Sequence, residues 1–408
     1  MTSHRNATAA DPAPHAHPEH TPIGRVLAAA GIMATVVAVI VLAFSWPAVT
    51  SEPKNLPVAI SGPDQSVEQV ETAVAEQAEG AVALERVDDR DAAVTDIEHR
   101  EAYGAIVLGD APTDAPEVLI ATAANPAVAQ MLTSLAGQLQ AQIDARVDAQ
   151  VQAALDQASA TIQALASGQA PPAGAAQPGA GASGAAPEIP TITVEVTDVV
   201  PLAESDPRGT GLTAALFPLV LGGMIGGIGL TFLIIGAARR VVGVLVYSAV
   251  AGLVLAGILQ GWYGALQGDY WLNAGAMALA LAAIAAPITG FVALIGRAGI
   301  GLGVVTFMLV ANPISAAAVP VEFLAEPWGA IGQWFPPGAA ATLLRSLSYF
   351  PDADMAFQWL VLAAWAAGGI ALSLIGHFRT AGGAEPDAEA AHADDAETDA
   401  APEPVLAR

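Results

Sequence analysis

Residues 26–46 read VLAAAGIMATVVAVIVLAFSW and residues 212–236 read LTAALFPLVLGGMIGGIGLTFLIIG, with no charged side chain in either run. At about 1.5 Å per helical residue, each is long enough to cross the ~30 Å hydrocarbon core of a bilayer. Between them lie 165 mostly polar residues, 47–211. Beyond them, four more apolar runs follow at about 241–260, 273–295, 299–319 and 359–378. This layout predicts an α-helical polytopic membrane protein with six transmembrane helices and a large domain inserted after the first.

The composition divides accordingly. The 408 residues are 54% hydrophobic and only 13% charged, and the charge sits outside the apolar runs. Between Glu52 and Gly211 there are 24 Asp and Glu against 6 Lys and Arg, and the last 24 residues carry eight acids against Arg408. A net charge of −25 argues against nucleic acid as a partner, because phosphate backbones need a basic face. Cysteine is absent, which excludes disulfides, thiolate metal sites and Cys nucleophiles. The one lysine, Lys54, lies in Glu-Pro-Lys-Asn and cannot serve a Walker A loop, which needs Gly-Lys-Ser/Thr. No nucleophile–base pair or metal-ligand cluster stands out, so neither an enzyme nor a bound cofactor is expected. His15, His17 and His20 in the HAHPEH tract of the Pro/Ala-rich leader suit either a solvated tail or a metal ion. Residues 1–22 and the acidic tail, 380–408, read as disordered cytoplasmic segments.

Arginines set the orientation. Arg25 precedes the first span, Arg239 and Arg240 join the second to the third, Arg297 separates the fourth from the fifth, and Arg379 follows the sixth. With six spans all five fall on one side, which the positive-inside rule makes cytoplasmic. The short opposite loop, 261–272, carries Asp269 and no cation. Both termini are therefore expected inside and the 48–211 domain outside, extracytoplasmic, in a bacterial plasma membrane. A cleaved signal peptide is the competing reading of span 1. The apolar run is longer than a usual signal core, which favours an uncleaved anchor.

The inserted domain begins as an α/β unit. Leu56 to Ser61 (LPVAIS) reads as a buried strand, 66–79 as a helix with Val67, Val70 and Val74 on one face, 81–87 as a strand, 91–100 as a short helix, and 104–108 as a third strand. Strands linked by short helices imply a parallel sheet. A short strand is expected at 118–121, and an alternating one at 191–200 (TITVEVTDVV). From Pro126 to Ser167 apolar residues recur at a mean step near 3.7 with no interior proline, which predicts one helix of about 60 Å. Such a helix either packs along its own domain or forms a self-associating stalk. Residues 168–190 form a Gly/Ala/Pro linker.

Within the membrane part, Gly222, Gly223, Gly226 and Gly227 form two overlapping small-xxx-small pairs that permit close helix packing. Asn312-Pro313 in the fifth run predicts a kink, since proline frees a carbonyl one turn earlier and Asn in lipid needs a partner. No span has a charge in its middle, which argues against ion-coupled transport. Between the fifth and sixth spans lies WGAIGQWFPPGAAATLLRSLSYFPDA, 328–353. Trp328, Trp334, Phe335, Tyr349 and Phe350 suit a water–lipid interface. Pro336-Pro337-Gly338 starts a short helix carrying Arg345, for which Glu322, Glu326, Asp352 or a lipid phosphate are candidate partners.

This last segment resembles the outer re-entrant hairpin of type 2 ABC exporter permeases: a proline pair opening a short helix, with Arg345, Tyr349 and Phe350 behind it, ahead of the final span. The segments LPVAIS-GPD, EAYGAIVLGD and IATAANPAVAQMLTSLA resemble members with a large domain after helix 1, including the phage-infection-protein (YhgE/Pip) group. The resemblance covers about residues 23–380. It implies a membrane permease subunit, a homodimer or hetero-oligomer in the lipid bilayer, exporting a substrate with a separate ABC ATPase. It makes Asn312, Pro313, Pro336, Pro337, Gly338, Arg345, Tyr349 and Phe350 candidate pathway or hairpin residues. One departure stands: the connection at 236–240 is too short for the amphipathic helix through which such permeases dock their ATPase. The other function class is a non-transporting scaffold or envelope-interaction protein, binding through the outer domain.

Overall fold

A computed structural model describes residues 23–77, 80–109, 114–167 and 192–380. The readings made for 1–22, including HAHPEH, for the 168–190 linker and for the acidic tail lie outside these residues. Residues up to Trp46 form one compact unit and those from Pro47 onward another. In the first, helix α1 (Ile23–Val49) carries no charge beyond Arg25, and its Thr35 hydroxyl donates to the Gly31 carbonyl at 2.9 Å. Its 27 residues reach about 40 Å, more than a bilayer core.

The second unit opens with the α/β domain: β1 (Leu56–Ser61), α2 (Asp64–Gln77), β2 (Val82–Arg86), α3 (Arg90–Glu98), β3 (Gly104–Val107), β4 (Glu117–Ile120), α4 (Pro126–Ala166) and β5 (Glu195–Asp198). The strands form one sheet in the order β2-β1-β3-β4-β5. β1 pairs parallel with both β2 and β3, the geometry that helical crossovers demand. β4 turns back antiparallel on β3, because the connection between them is too short for a crossover. β5 pairs parallel with β4 over four residues, fewer than its alternating sequence suggests. One cause is Gln140, whose side-chain carbonyl accepts the Val194 N–H at 2.7 Å and whose amide donates to the Ile192 carbonyl at 3.0 Å.

Side-chain alternation gives the sheet two different faces. Val58, Ile60, Ile106, Val118 and Ile120 pack against Val67 of α2 and Val128 and Leu132 of α4. The opposite face presents smaller residues, Ala59 and Ala105 beside Leu119, to Ala93 and Ile97 of α3. Helix α4 starts on an Asn125 cap, whose side-chain oxygen accepts from the Ala127 and Val128 N–H groups at 2.9 and 3.2 Å, with Pro126 in the first turn. It runs unbroken for 41 residues. Its packing onto the sheet ends near Leu139, and beyond that Leu155 and Ile162 are more than half exposed.

The membrane bundle contains α5 (Thr210–Leu233), α6 (Ala237–Ala256, extended in π geometry to Trp262), α7 (Tyr270–Ile295), α8 (Ala298–Val304, extended in π geometry to Ala311), α9 (Trp328–Gly332), α10 (Pro336–Tyr349) and α11 (Ala356–Thr380). α7 lies at the centre, packed against α5, α6, α8, α10 and α11. Counting α1, five helices among the described residues are long and apolar enough to span a bilayer, the make-up of a polytopic helical membrane protein.

The expected span at 299–319 is not a continuous helix. α8 and its π extension hold seven residues each, at most about 21 Å, and helix ends where Asn312-Pro313 begins. Asn312 turns the chain, its carbonyl accepting from the Ser315 hydroxyl at 2.7 Å. The irregular backbone that follows is tied down by the hairpin: Gln333 donates to the Ser315 carbonyl at 3.3 Å and Arg345 to the Ala317 carbonyl at 3.4 Å.

Candidate functional site: the junction of domain and hairpin

The proline pair fixes where the hairpin goes. Pro336 and Pro337 open α10, their missing N–H groups falling where a helix start leaves donors unused. Gly338 lies so close to the Gly332 carbonyl that a Cβ there would meet it. Pro336 to Ala341 are buried, and α10 packs against α7 and α11. α10 therefore enters the bundle. Gln333 accepts from the Thr342 hydroxyl at 2.7 Å, and the Trp365 indole N–H of α11 donates to the Trp334 carbonyl at 2.8 Å.

The far end of α10 is built into the inserted domain. Phe350 is fully buried in the alanine-lined core of the sheet's second face, with Tyr349 packed beside it and Ala353 following. This corrects the placing of Phe350 at a water–lipid interface, a setting that the exposed Trp328 and Trp334 still suit.

Charged groups surround this shared core. α3 ends in a Schellman motif: the Arg100 N–H donates to the Ile97 carbonyl and the Glu101 N–H to that of Asp96. Arg100 occupies its left-handed position at φ 64°, where glycine costs least. From there its Nη1 donates to the Thr342 carbonyl at 3.2 Å and the Ser346 Oγ at 2.8 Å, both on α10, and its guanidinium lies 5.4 Å from the Phe350 ring centroid. Tyr103 donates its hydroxyl to Glu322 at 2.8 Å, and the Glu52 N–H donates to the Phe323 carbonyl at 3.1 Å. Burial raises the Tyr103 hydroxyl pKa, and the Glu322 charge and hydrogen bond raise it further. Burial also lowers Arg100. Arg345, whose helix is not one of the five spanning ones, is pulled down to about 10 by burial and then by the Arg100 charge.

Of the residues singled out from sequence, Arg345, Tyr349 and Phe350 come together here, while Pro336, Pro337 and Gly338 hold the other end of the same helix. Asn312 and Pro313 belong to the break before it. Gly222, Gly223, Gly226 and Gly227 lie apart: a Cβ on Gly223 would sit 2.8 Å from Ile284 and one on Gly227 2.9 Å from the Ala285 carbonyl, while Gly226 faces the Tyr247 ring. They pack α5 between α7 and α6. Sequence reasoning missed Arg100 and Tyr103 as members of the junction, and it offered Glu322 as a partner of Arg345, where Glu322 accepts from Tyr103 instead. Among the described residues no group of three His, Asp or Glu side chains is placed to hold a metal. Comparison with protein-family models, curated proteins and solved structures found no match.

Proposed function

We propose that the chain is the membrane subunit of an export-type permease, moving a substrate outward with energy from a separate ATPase, its inserted domain extracytoplasmic. One observation carries this reading. A half-length helix, α8, is followed by irregular backbone and then by a re-entrant helix, α10, at the heart of the bundle. Non-helical backbone at membrane depth is tolerated where protein buries it or where it lines a pathway, and interrupted helices mark transport sites. The end of α10 shares a core with the inserted domain, so a shift of that domain moves the hairpin that closes the pathway.

A scaffold that binds envelope partners through α4 is the second reading. Two observations favour it: only residues 234–236 separate α5 from α6, too few to seat an ATPase, and the distal half of α4 exposes apolar residues. Purification of the tagged chain from native membranes after crosslinking separates the two. The permease reading expects a stoichiometric nucleotide-hydrolysing subunit whose activity depends on this chain. A purified complex without ATP hydrolysis, crosslinked through position 150 of α4 to another envelope protein, refutes it in favour of the scaffold.

A further inference from the structure

Thr342, Arg345 and Ser346 stand at i, i+3 and i+4 on α10, one face of the helix. Arg100 reaches the first and last of these from the inserted domain, so two guanidinium groups share this face. Among the described residues no carboxylate lies within 4.0 Å of either. Glu322, the carboxylate whose field reaches Arg100, is engaged by the Tyr103 hydroxyl. Asp206 acts on Tyr349, but among the described residues no carboxylate acts on Arg345, whose charge meets that of Arg100 instead.

The donors are also in excess. Each guanidinium offers five N–H groups. Among the described residues Arg100 directs only Nη1 to hydrogen-bond acceptors, and Arg345 makes one hydrogen bond, at a long 3.4 Å. Burying like charges together is unfavourable unless a counter-charge joins them. Arg100 moreover holds a left-handed backbone position that disfavours a side chain, and such strain persists where the surroundings over-determine it, often at ligand clamps. The planar guanidinium fork matches the oxygens of phosphate.

We propose that Arg100 and Arg345 together form a binding site for a phosphate-type oxyanion at the junction of the inserted domain and the hairpin. The anion is either a phospholipid headgroup or a free phosphate. The site stands whether the chain exports a substrate or serves as a scaffold.

The test uses the full-length protein in a phosphate-free maltoside detergent. In one arm, thermal unfolding is followed as inorganic phosphate is added, against chloride at equal ionic strength. In the other, native mass spectrometry scores retention of phosphatidylglycerol against a phosphate-free glycolipid. Saturable stabilisation by phosphate alone assigns a free anion; retention of phosphatidylglycerol alone assigns the headgroup; both together show a site open to either. The affinity should fall about tenfold or more in Arg100→Gln and Arg345→Gln, the loss of a charge-assisted bond, and should be unchanged in Arg239→Gln. Gln at 345 keeps an amide donor for the Ala317 carbonyl, so it removes the charge while leaving a donor for that carbonyl. If the Gln variants do not fold, hydrogen exchange on the wild type locates the ligand, with protection expected at 98–103 and 342–350. Absence of both ligands from the wild type, undiminished affinity in folded Gln variants, or protection confined to other segments overturns the proposal.

Discussion

Tyr103 is the residue whose removal isolates one bond of the junction. Replacing it with Phe keeps the ring and deletes the hydroxyl that Glu322 accepts at 2.8 Å. Tyr103→Phe is expected to lower stability by about 1–2 kcal/mol, seen as a lower melting temperature and faster amide exchange at the end of α10. Wild-type exchange in that variant would show that the bond contributes nothing. A second residue, Glu117, ties three elements: Arg90 donates to it from Nε and Nη2 at 2.7 and 2.9 Å, and the β5 residue Thr197 at 2.7 Å. The Arg90 hydrogen bond is the main cause that holds the Glu117 carboxyl below its ordinary range. A depressed carboxyl stabilises the fold above its unfolded value, about 4.3, and loses that contribution as pH falls through the lower folded value. Arg90 is 45% exposed, so solvent screening limits the contribution to about 0.5–1 kcal/mol. Glu117→Gln should therefore speed exchange of the β5 amides at pH 7 and match the wild type by about pH 3. An equal difference at both pH values would refute the linkage. Of these residues only the hairpin's own were legible in sequence. Arg100 escaped because DIEHREA, 96–102, has no glycine to mark its left-handed turn.

Helix packing gives the test at the scale of elements. A Cβ on Gly227 would press on the α7 backbone at Ala285, at 2.9–3.0 Å, while one on Gly229 meets only the tip of Leu233 at 4.0 Å. Gly227→Ala should lower the melting temperature of the purified protein, and Gly229→Ala should leave it unchanged or raise it, since Ala favours helix by up to about 1 kcal/mol over Gly. The opposite ranking would mean that α5 does not sit on α7 through this face. In α4, Gly137 has open space around its Cβ position, so Gly137→Ala should slow exchange along that helix. Long apolar runs were legible because helix rise and bilayer thickness together fix their length. The short fifth membrane segment was not: hydropathy runs on past Asn312-Pro313, and only the backbone reveals that helix stops at Ala311. The antiparallel turn of β4 was equally hidden, because a short strand carries no mark of its direction. The glycines of the α7–α11 contact, Gly290 and Gly369, also escaped, lacking the doubled spacing that drew attention to α5.

For the whole molecule, the decisive quantity is which side of the membrane the inserted domain occupies. Its 24 acids against 6 bases do not decide this, because long segments cross largely regardless of charge. The short connections do. Arg239 and Arg240 lie at the start of α6, opposite in sequence to the Asp269 turn that starts α7. The shortness of α8 does not alter the count of sides, provided that the chain from α8 through α10 still returns to the end of the bundle that carries the domain. Phe350 and Arg100 anchor it there. A chain without cysteine permits a direct measurement. Gln150→Cys on α4 should react with a membrane-impermeant thiol reagent in intact cells, and Ala238→Cys, exposed beside the arginine pair, should react only after the membrane is opened. The reverse pattern would put the domain in the cytoplasm. Labelling of both in intact cells would mean that α5 does not cross the membrane as a single span. Either result would remove the outward-facing hairpin on which the export reading depends.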